Sequence, residues 1–228
     1  QNTLPQGVTI GAAGTAMYMI GATAPASIFQ YTLSTAYDVS TASYSGISSN
    51  ISAREIATQD LTFSDDGTKV YVIGANAAGA GVTAGAEYVH QFNLSTAWNV
   101  GTAGYSTSFY VTTQTGTSPT GLYIGAGGTA MYVNSGSAIY QYTLGTAWEV
   151  NTASYANKSF SVNTQETVSQ ALYFKPDGTK VYIVGQTNDT IYQYSLSTAW
   201  DISTASYDSK SLYIGLQETL STGLYFSP

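Results

Sequence analysis

The chain contains no cysteine and one histidine, and only 8% of its residues are charged. The absence of cysteine excludes disulfides, cysteine-ligated zinc and a thiol nucleophile. Six basic against thirteen acidic residues give a formal net charge of -7, which disfavours binding to nucleic acid or anionic membranes because like charges repel. No apolar run approaches the roughly 20 residues of a membrane-spanning helix. Low charge with abundant hydroxyl side chains is typical of extracellular surfaces, so we expect a secreted, cell-surface or virion protein.

A repeat of about fifty residues runs through the whole sequence. One twelve-residue motif occurs four times, at 28–39, 89–100, 139–150 and 191–202. A second block precedes each copy, and its first apolar residue recurs at Val8, Leu61, Leu122, Leu172 and Leu224, with spacings of 53, 61, 50 and 52 residues. A period of this length indicates a repeat architecture.

Each unit contains four short runs of β-forming residues. In the last full unit these are 172–174, 180–184, 190–196 and 210–214, and Asp177-Gly178 between the first two is a hairpin signal. Four short antiparallel strands per repeat form the blade of a propeller. We therefore predict an all-β fold, a single β-propeller or propeller segment over 1–228, with a β-helix as the nearest alternative. The predicted blades are 1–58, 59–113, 114–164 and 165–216, and 217–228 is a partial fifth unit that supplies one extra strand.

Several residue types recur in every unit, and we interpret them as scaffold. The aromatic residues Tyr37, Trp98, Trp148 and Trp200 are expected to pack between blades. The polar residues that follow them (Asp38, Asn99, Glu149 and Asp201) are expected to cap turns. The glutamines Gln30, Gln91, Gln141 and Gln193 are expected to bond around the ring rather than line the axial channel. His90 replaces an aromatic residue and is expected to be semi-exposed. No catalytic, metal or cofactor site is predicted, and the chain is not expected to be an enzyme.

Binding is expected on the loops that differ between units, because such loops often carry function on a rigid scaffold. The loops between second and third strands and those between successive units should share one face of the ring. The polar residues of that face are the predicted ligand contacts: Gln114, Gln165, Glu166, Gln186, Asn188, Asp189, Gln217 and Glu218. An amide-rich surface of this kind suits a glycan or a protein on a cell surface.

The stretches 174–182 and 63–71 resemble the repeat of lactonase-like, YVTN-type β-propellers, and similar Tyr- and Thr-rich repeats occur in bacterial surface proteins and phage tail or fibre proteins. The resemblance covers scaffold residues of all four units and implies the propeller fold. We expect a non-catalytic binding or structural module active in adhesion. The alternatives are a lectin with one carbohydrate site per blade and a lactonase-type hydrolase.

Ring closure is the remaining question raised by the sequence. Residues 217–228 align without gaps on 1–12, so the last residues repeat the first strand of a unit. We expect either that the array continues in a longer chain or that copies of the chain associate as a homo-oligomer that completes the ring.

Overall fold

The structure is a computed structural model that describes residues 4–21, 24–79, 83 and 85–227. It contains four antiparallel sheets, each of four strands paired in sequence order, which confirms the predicted all-β propeller. The strands of blade 1 are β1 (Pro5–Gly11), β2 (Ala16–Gly21), β3 (Ser27–Leu33) and β4 (Ala42–Asn50). Those of blade 2 are β5 (Thr58–Phe63), β6 (Lys69–Gly74), β7 (Tyr88–Leu94) and β8 (Ala103–Tyr110). Those of blade 3 are β9 (Pro119–Gly125), β10 (Ala130–Ser135), β11 (Ala138–Leu144) and β12 (Ala153–Ser161). Those of blade 4 are β13 (Ser169–Phe174), β14 (Lys180–Gly185), β15 (Thr190–Leu196) and β16 (Ala205–Tyr213).

The helical segments of the described residues are short: the helix α1 (Thr112–Thr115) and six three-residue 3-10 turns. None of them has the length and hydropathy needed to cross a bilayer.

The glycine of the first hairpin is required for two reasons in each unit. Gly178 has a φ of 71°, a left-handed conformation that glycine adopts without steric penalty. A Cβ at Gly178 would also lie 2.3 Å from the ring of Trp200, and the amide of Trp200 donates to the Gly178 carbonyl at 3.0 Å. The sequence predicted the turn, and the structure adds that the recurring aromatic ring covers it.

The apolar core is divided among the spaces between successive blades. One cluster joins blades 1 and 2, a second joins blades 2 and 3, and a third joins blades 3 and 4. The recurring tryptophans pack against these clusters, with Trp200 stacked 5.7 Å from Phe174 and lying over Gly125 of the preceding blade. The expected packing role of these aromatic residues is therefore confirmed at the three interfaces.

The recurring polar residues also act as scaffold. Asp38, Asn99 and Asp201 each accept a hydrogen bond from the amide two residues ahead, as predicted. Glu149 instead forms an ion pair with Lys69 at 2.8 Å. The Oε1 atoms of three of the glutamines accept from an amide of the next blade, which confirms that they bond around the ring.

The first strand of each blade is the innermost one. Strand β5 contacts β1 and β9, and β9 contacts β13, so these strands follow one another around the axis. The C-terminal segment, residues 221–227, lies between β13 and β1: Tyr225 packs 5.6 Å from Tyr173, and a Cβ at Gly223 would be 3.2 Å from the Gln6 carbonyl oxygen. Five chain segments therefore surround the axis.

The prediction of an extra strand in 217–228 is wrong for the described residues, which form no strand beyond Tyr213. The innermost strand of each blade pairs with the second strand of its own unit. Among the described residues, no second strand lies beside the C-terminal segment. It is held by side-chain contacts and by the Thr222 hydroxyl, which donates to the Pro5 carbonyl at 3.3 Å.

Candidate axial site

A cavity of about 310 Å³ lies on the axis of the ring. It is lined by the innermost strands of all four blades and by the C-terminal segment. Its polar lining consists of two carboxylates, several hydroxyls and four tyrosines: Thr9, Tyr37, Asp60, Thr62, Ser64, Asp65, Tyr123, Tyr173 and Tyr225. No lysine, arginine or histidine is among the described residues that line it. We call this space the axial cavity.

Asp60 is the buried carboxylate of the axial cavity. It lies on β5, and its residue is only 7% exposed. Its Oδ1 accepts from the amide of Leu61 at 2.8 Å, and its Oδ2 accepts from the amide of Leu122 on β9 at 2.9 Å. Burial raises the pKa of Asp60 to about 7, and these two hydrogen bonds oppose the rise. A carboxyl group with this pKa gains and loses its proton near pH 7. Shifted pKa values of this kind cluster at the functional sites of proteins.

Asp60 is an exception within the repeat. The matching positions hold Gly7, Gly121, Ala171 and Gly223. A Cβ at Gly7 would lie 2.7 Å from the Oδ1 of Asp60, so the neighbouring blade leaves room for this one carboxylate. Asp60 is not among the site residues predicted from the sequence. The signal that could have found it is the replacement of a small residue by an acid at one position in five aligned units.

Three tyrosines form a continuous row along one side of the axial cavity. The ring of Tyr173 lies edge-on to Tyr123 at 5.8 Å and to Tyr225 at 5.6 Å. Burial raises the pKa of each of the three hydroxyls, so they stay protonated and can donate hydrogen bonds. None of these hydroxyls has a hydrogen-bond partner among the described residues. Asp65 is exposed at the cavity, and partial burial together with Asp66 raises its pKa.

The structure gathers five of the eight predicted loop residues at one corner of blade 4. The Nδ2 of Asn188 donates to the Gln165 carbonyl at 2.7 Å, and the Asp189 carbonyl accepts from Ile214 at 2.8 Å. Glu166 is fully buried there, and its carboxylate accepts from the amides of Val168, Thr187 and Asn188. Gln186 donates its amide to Val168 in the same corner. The carboxylate of Glu166 therefore joins two loops and is engaged by backbone.

The other three predicted residues lie outside this corner. Gln114 is on α1 and accepts from the Tyr142 hydroxyl at 3.4 Å, while Gln217 and Glu218 are exposed beyond β16. Parts of the other predicted loops, residues 22–23, 80–82 and 84, lie outside the described residues. Ligand binding by the loop face stays a prediction.

Blade 2 buries a second set of titratable residues away from the axial cavity. Burial, with a contribution from Glu55, raises the pKa of Glu87 to about 7. Burial, with a contribution from Arg54, lowers the pKa of His90 to about 4, so this histidine is neutral. His90 is 0% exposed, and the expectation of a semi-exposed ring is wrong. The rings of Tyr88 and Tyr105 lie beside it, at 5.9 and 6.3 Å.

Comparison with known proteins identifies the fold. No family model and no curated protein sequence matches the chain. Two solved structures named "putative 6-phosphogluconolactonase", from Bacteroides uniformis and Bacteroides fragilis, superpose with TM-scores of 0.51 and 0.53 at 13% and 11% sequence identity. A Lactobacillus plantarum protein superposes with a TM-score of 0.52 at 12% identity. These alignments cover 87%, 92% and 91% of this chain, and it spans 56%, 71% and 55% of the respective proteins.

At these identities the likeness establishes the fold alone, a β-propeller similar in structure to the proteins named as lactonases. It also corrects one sequence-based expectation. The conclusion that the chain is not an enzyme is wrong, because similar structures carry the name of a hydrolase and a hydrolase is therefore a candidate. The sequence shows no constellation of acidic and basic catalytic residues, whereas the structure places one acid, Asp60, at the axis. It was overlooked because it lies inside a strand rather than in a catalytic motif.

Proposed function

We propose that the axial cavity is the functional site and that it binds one neutral, polyhydroxylated small molecule, such as a sugar or a sugar lactone. The observation that carries this proposal is the pairing of a buried carboxylate, Asp60, with a row of tyrosine hydroxyls that lack protein partners. A carboxylate accepts hydrogen bonds from sugar hydroxyls, and phenolic hydroxyls donate to ring and carbonyl oxygens. The volume of about 310 Å³ is at the small end of ligand pockets.

The charge of the cavity lining favours a neutral ligand over a phosphorylated one. Phosphate is normally recognised by arginine, lysine or clustered backbone amides. The described lining carries Asp60 and Asp65 and no basic side chain, and the whole chain has a net charge of -7. A phosphorylated lactone, the substrate implied by the name of the similar structures, would be repelled. The proposal therefore places a neutral, unphosphorylated ligand in the axial cavity.

The test is isothermal titration of the chain with a panel of neutral monosaccharides and their lactones, alongside the corresponding sugar phosphates. Saturable binding with a stoichiometry of one per chain is expected for a neutral ligand. Replacing Asp60 with asparagine (D60N) should weaken it about tenfold or more, which corresponds to one charge-assisted hydrogen bond. The matched control is D38N, because Asp38 is an exposed turn residue. Equal affinities of D60N and D38N would overturn the proposal.

The stoichiometry also separates this site from a lectin with one site per blade. Asp60 occurs in one unit alone, so the axial cavity predicts one ligand per chain. A lectin with one site per blade predicts four ligands per chain. Binding of four equivalent ligands that D60N leaves unchanged would favour the lectin alternative and the loop face.

A second candidate, hydrolysis of a neutral lactone, is supported by the raised pKa of Asp60. In this reaction ionised Asp60 takes a proton from water, and the water oxygen attacks the lactone carbonyl carbon. The ring C–O bond then breaks, and its oxygen receives a proton, so that lactone and water give a hydroxy acid. The two amide contacts use only two of the roughly four lone-pair positions of the carboxylate, which leaves capacity for water.

Hydrolysis is measured as acid release from a neutral lactone at constant pH. The rate should rise with pH through about 7 as Asp60 ionises, and D60N should lower it about 100-fold or more. A wild-type rate equal to that of buffer would exclude hydrolysis and leave the binding proposal intact.

We also propose that the ligand is met outside the cell. The low charge fraction and the predominance of hydroxyl and amide side chains support a secreted, cell-surface or virion protein with a role in adhesion. Labelling of intact source cells or particles with an antibody against the chain tests this location. Signal only after permeabilisation would contradict it.

A further inference from the structure

The three interfaces between blades share one pair of hydrogen bonds. A tyrosine hydroxyl on the second strand donates to the carbonyl of the tryptophan in the next blade: Tyr18 to Trp98 at 2.6 Å, Tyr71 to Trp148 at 2.7 Å and Tyr132 to Trp200 at 2.6 Å. A glutamine on the third strand accepts from the amide two residues after that tryptophan, with distances of 3.2, 3.0 and 2.9 Å. Each unit therefore carries two complementary surfaces. One is the Tyr–Gln face, made of the tyrosine of the second strand and the glutamine of the third. The other is the matching turn, which offers the carbonyl of the aromatic residue and the amide two residues after it.

Blade 4 presents a fourth copy of the Tyr–Gln face, and no complete blade in the described part of the chain covers it. Its tyrosine and glutamine are Tyr182 and Gln193. The Tyr182 hydroxyl has no hydrogen-bond partner among the described residues, and Gln193 bonds only Asp208 of its own blade, at 2.7 Å. With Ile191, Leu212 and Phe226 they line an open cleft of about 250 Å³. Leu212 is 61% exposed, whereas its counterpart Phe160 packs against the core cluster between blades 3 and 4.

Blade 1 presents a fourth copy of the matching turn, also uncovered. The residue that follows the aromatic and acidic pair is Val39, which is 62% exposed. Its counterparts Val100, Val150 and Ile202 are all 0% exposed, because the preceding blade covers them. Tyr37 is 40% exposed. The two uncovered surfaces thus belong to opposite sides of the same repeated interface.

The inner position between these two surfaces is already filled. Phe226 packs 4.6 Å from the ring of Tyr182, and Gly223 of the same segment lies against Val8 of β1. The C-terminal segment, residues 221–227, therefore occupies the place of an innermost strand between blades 4 and 1. The space that remains is the outer part of one blade.

We propose that the open cleft between blades 4 and 1 binds a further unit of this same repeat, three antiparallel strands that pair with the C-terminal segment and complete a fifth blade. The aromatic turn of that unit would cover Tyr182 and Gln193, and its own tyrosine and glutamine would cover residues 37–39. Five blades lie within the range that propellers adopt. The pairing would also give residues 221–227 the second strand whose absence keeps them from forming a ladder.

The experiment extends the chain by its own sequence. Residues 177–213 are appended after residue 228, which keeps the register because 217–228 aligns without gaps on 165–176. The thermal midpoint should rise by roughly 5 °C or more, as expected for a new interface in a domain of this size. The appended residues should resist limited proteolysis. Cleavage of the appended residues from an otherwise intact chain, with an unchanged midpoint, would overturn the proposal.

A double-mutant comparison shows whether the gain comes from the proposed face. The variant Y182F/Q193A is made with and without the extension. In the original chain it should shift the midpoint little, and in the extended chain it should remove at least half of the gain. An equal shift in both backgrounds would show that the extension stabilises elsewhere and would overturn the proposal.

The remaining test measures the mass of the unextended chain in solution. Monomer is expected. A concentration-dependent dimer that Y182F/Q193A abolishes would assign the open cleft to a second copy of the whole chain and would overturn the repeat-unit proposal.

Discussion

Away from the axis, the contacts between blades repeat residue for residue, whereas the residues at the axis differ from unit to unit. At the interfaces, three tyrosines and three glutamines make the same bonds with the same geometry. At the axis, the position of Asp60 holds glycine or alanine elsewhere, and the tyrosines of the row are threonines in blades 1 and 2. Recurrence therefore indicates scaffold in this molecule, and departure from the repeat indicates the candidate site.

The largest effect should come from removing an interface tryptophan. Trp200 packs on Phe174, Tyr123 and Gly178, so W200A should lower the free energy of unfolding by about 3 kcal/mol through loss of buried contacts. Tyr37 occupies the same position in blade 1, where no complete blade precedes it, and Y37A should lower it by less than about 1 kcal/mol. Urea denaturation measures both. An equal loss of unfolding free energy in W200A and Y37A would show that the turn of blade 1 is covered as well as the turn of blade 4, which would contradict the comparison.

A smaller effect is expected from the glutamine of an internal interface. Gln141 accepts from the Ile202 amide and donates to the Trp200 carbonyl, both at 2.9 Å. Q141A leaves the buried Ile202 amide without a partner, while the Trp200 carbonyl keeps its bond from the Tyr132 hydroxyl. It should lower the free energy of unfolding by about 2 kcal/mol. The matched control is Q193A, which faces the open cleft and should lose less than about 1 kcal/mol. A loss in Q193A as large as in Q141A would contradict the assignment of these bonds to the interfaces.

Asp60 should make the stability of the chain depend on pH in a direction opposite to that of an ion-paired carboxylate. Its pKa is raised from 3.8 to about 7 by burial, so the folded state binds more protons than the unfolded state between these values. The contribution is fully present below pH 4 and is lost as pH rises through 7, by up to about 1.4 kcal/mol for each pH unit.

The measurement is the free energy of unfolding at pH 5 and pH 8 for the wild type and D60N. The wild type should lose more stability between these pH values than D60N does. Glu87 also has a pKa raised to about 7 and adds a slope of the same sign, so E87Q serves as the control that removes that slope alone. Parallel curves for the wild type and D60N would show that Asp60 does not titrate in this range.

The sequence predicted the fold because the signals of a blade are local. The Asp177-Gly178 hairpin, the alternation of 190–196 and the period of about fifty residues each follow from short-range rules. The site depends on contacts between distant segments, such as Asp60 with the amide of Leu122. Within its own strand, Asp60 looks like one of several alternating polar residues. The C-terminal segment has the sequence of a strand, but a strand also requires a partner, and sequence alone could not show that none lies beside it.

The substitution Y173F should have the smallest effect on stability, and it therefore distinguishes a role in ligand binding from a role in the scaffold. The Tyr173 hydroxyl has no hydrogen-bond partner among the described residues, so Y173F should change the free energy of unfolding by less than about 0.5 kcal/mol. If that hydroxyl donates to a ligand in the axial cavity, Y173F should weaken binding about fivefold, the worth of one neutral hydrogen bond.

Y132F is the matched control, because the Tyr132 hydroxyl donates to the Trp200 carbonyl at 2.6 Å across an interface. It should lower the free energy of unfolding by about 1 kcal/mol and leave the affinity for the ligand unchanged. Thermal melts and titration of both variants with the same ligand measure the two quantities. A reversed pattern, in which Y132F weakens binding and Y173F does not, would move the site from the axis to the interfaces between blades.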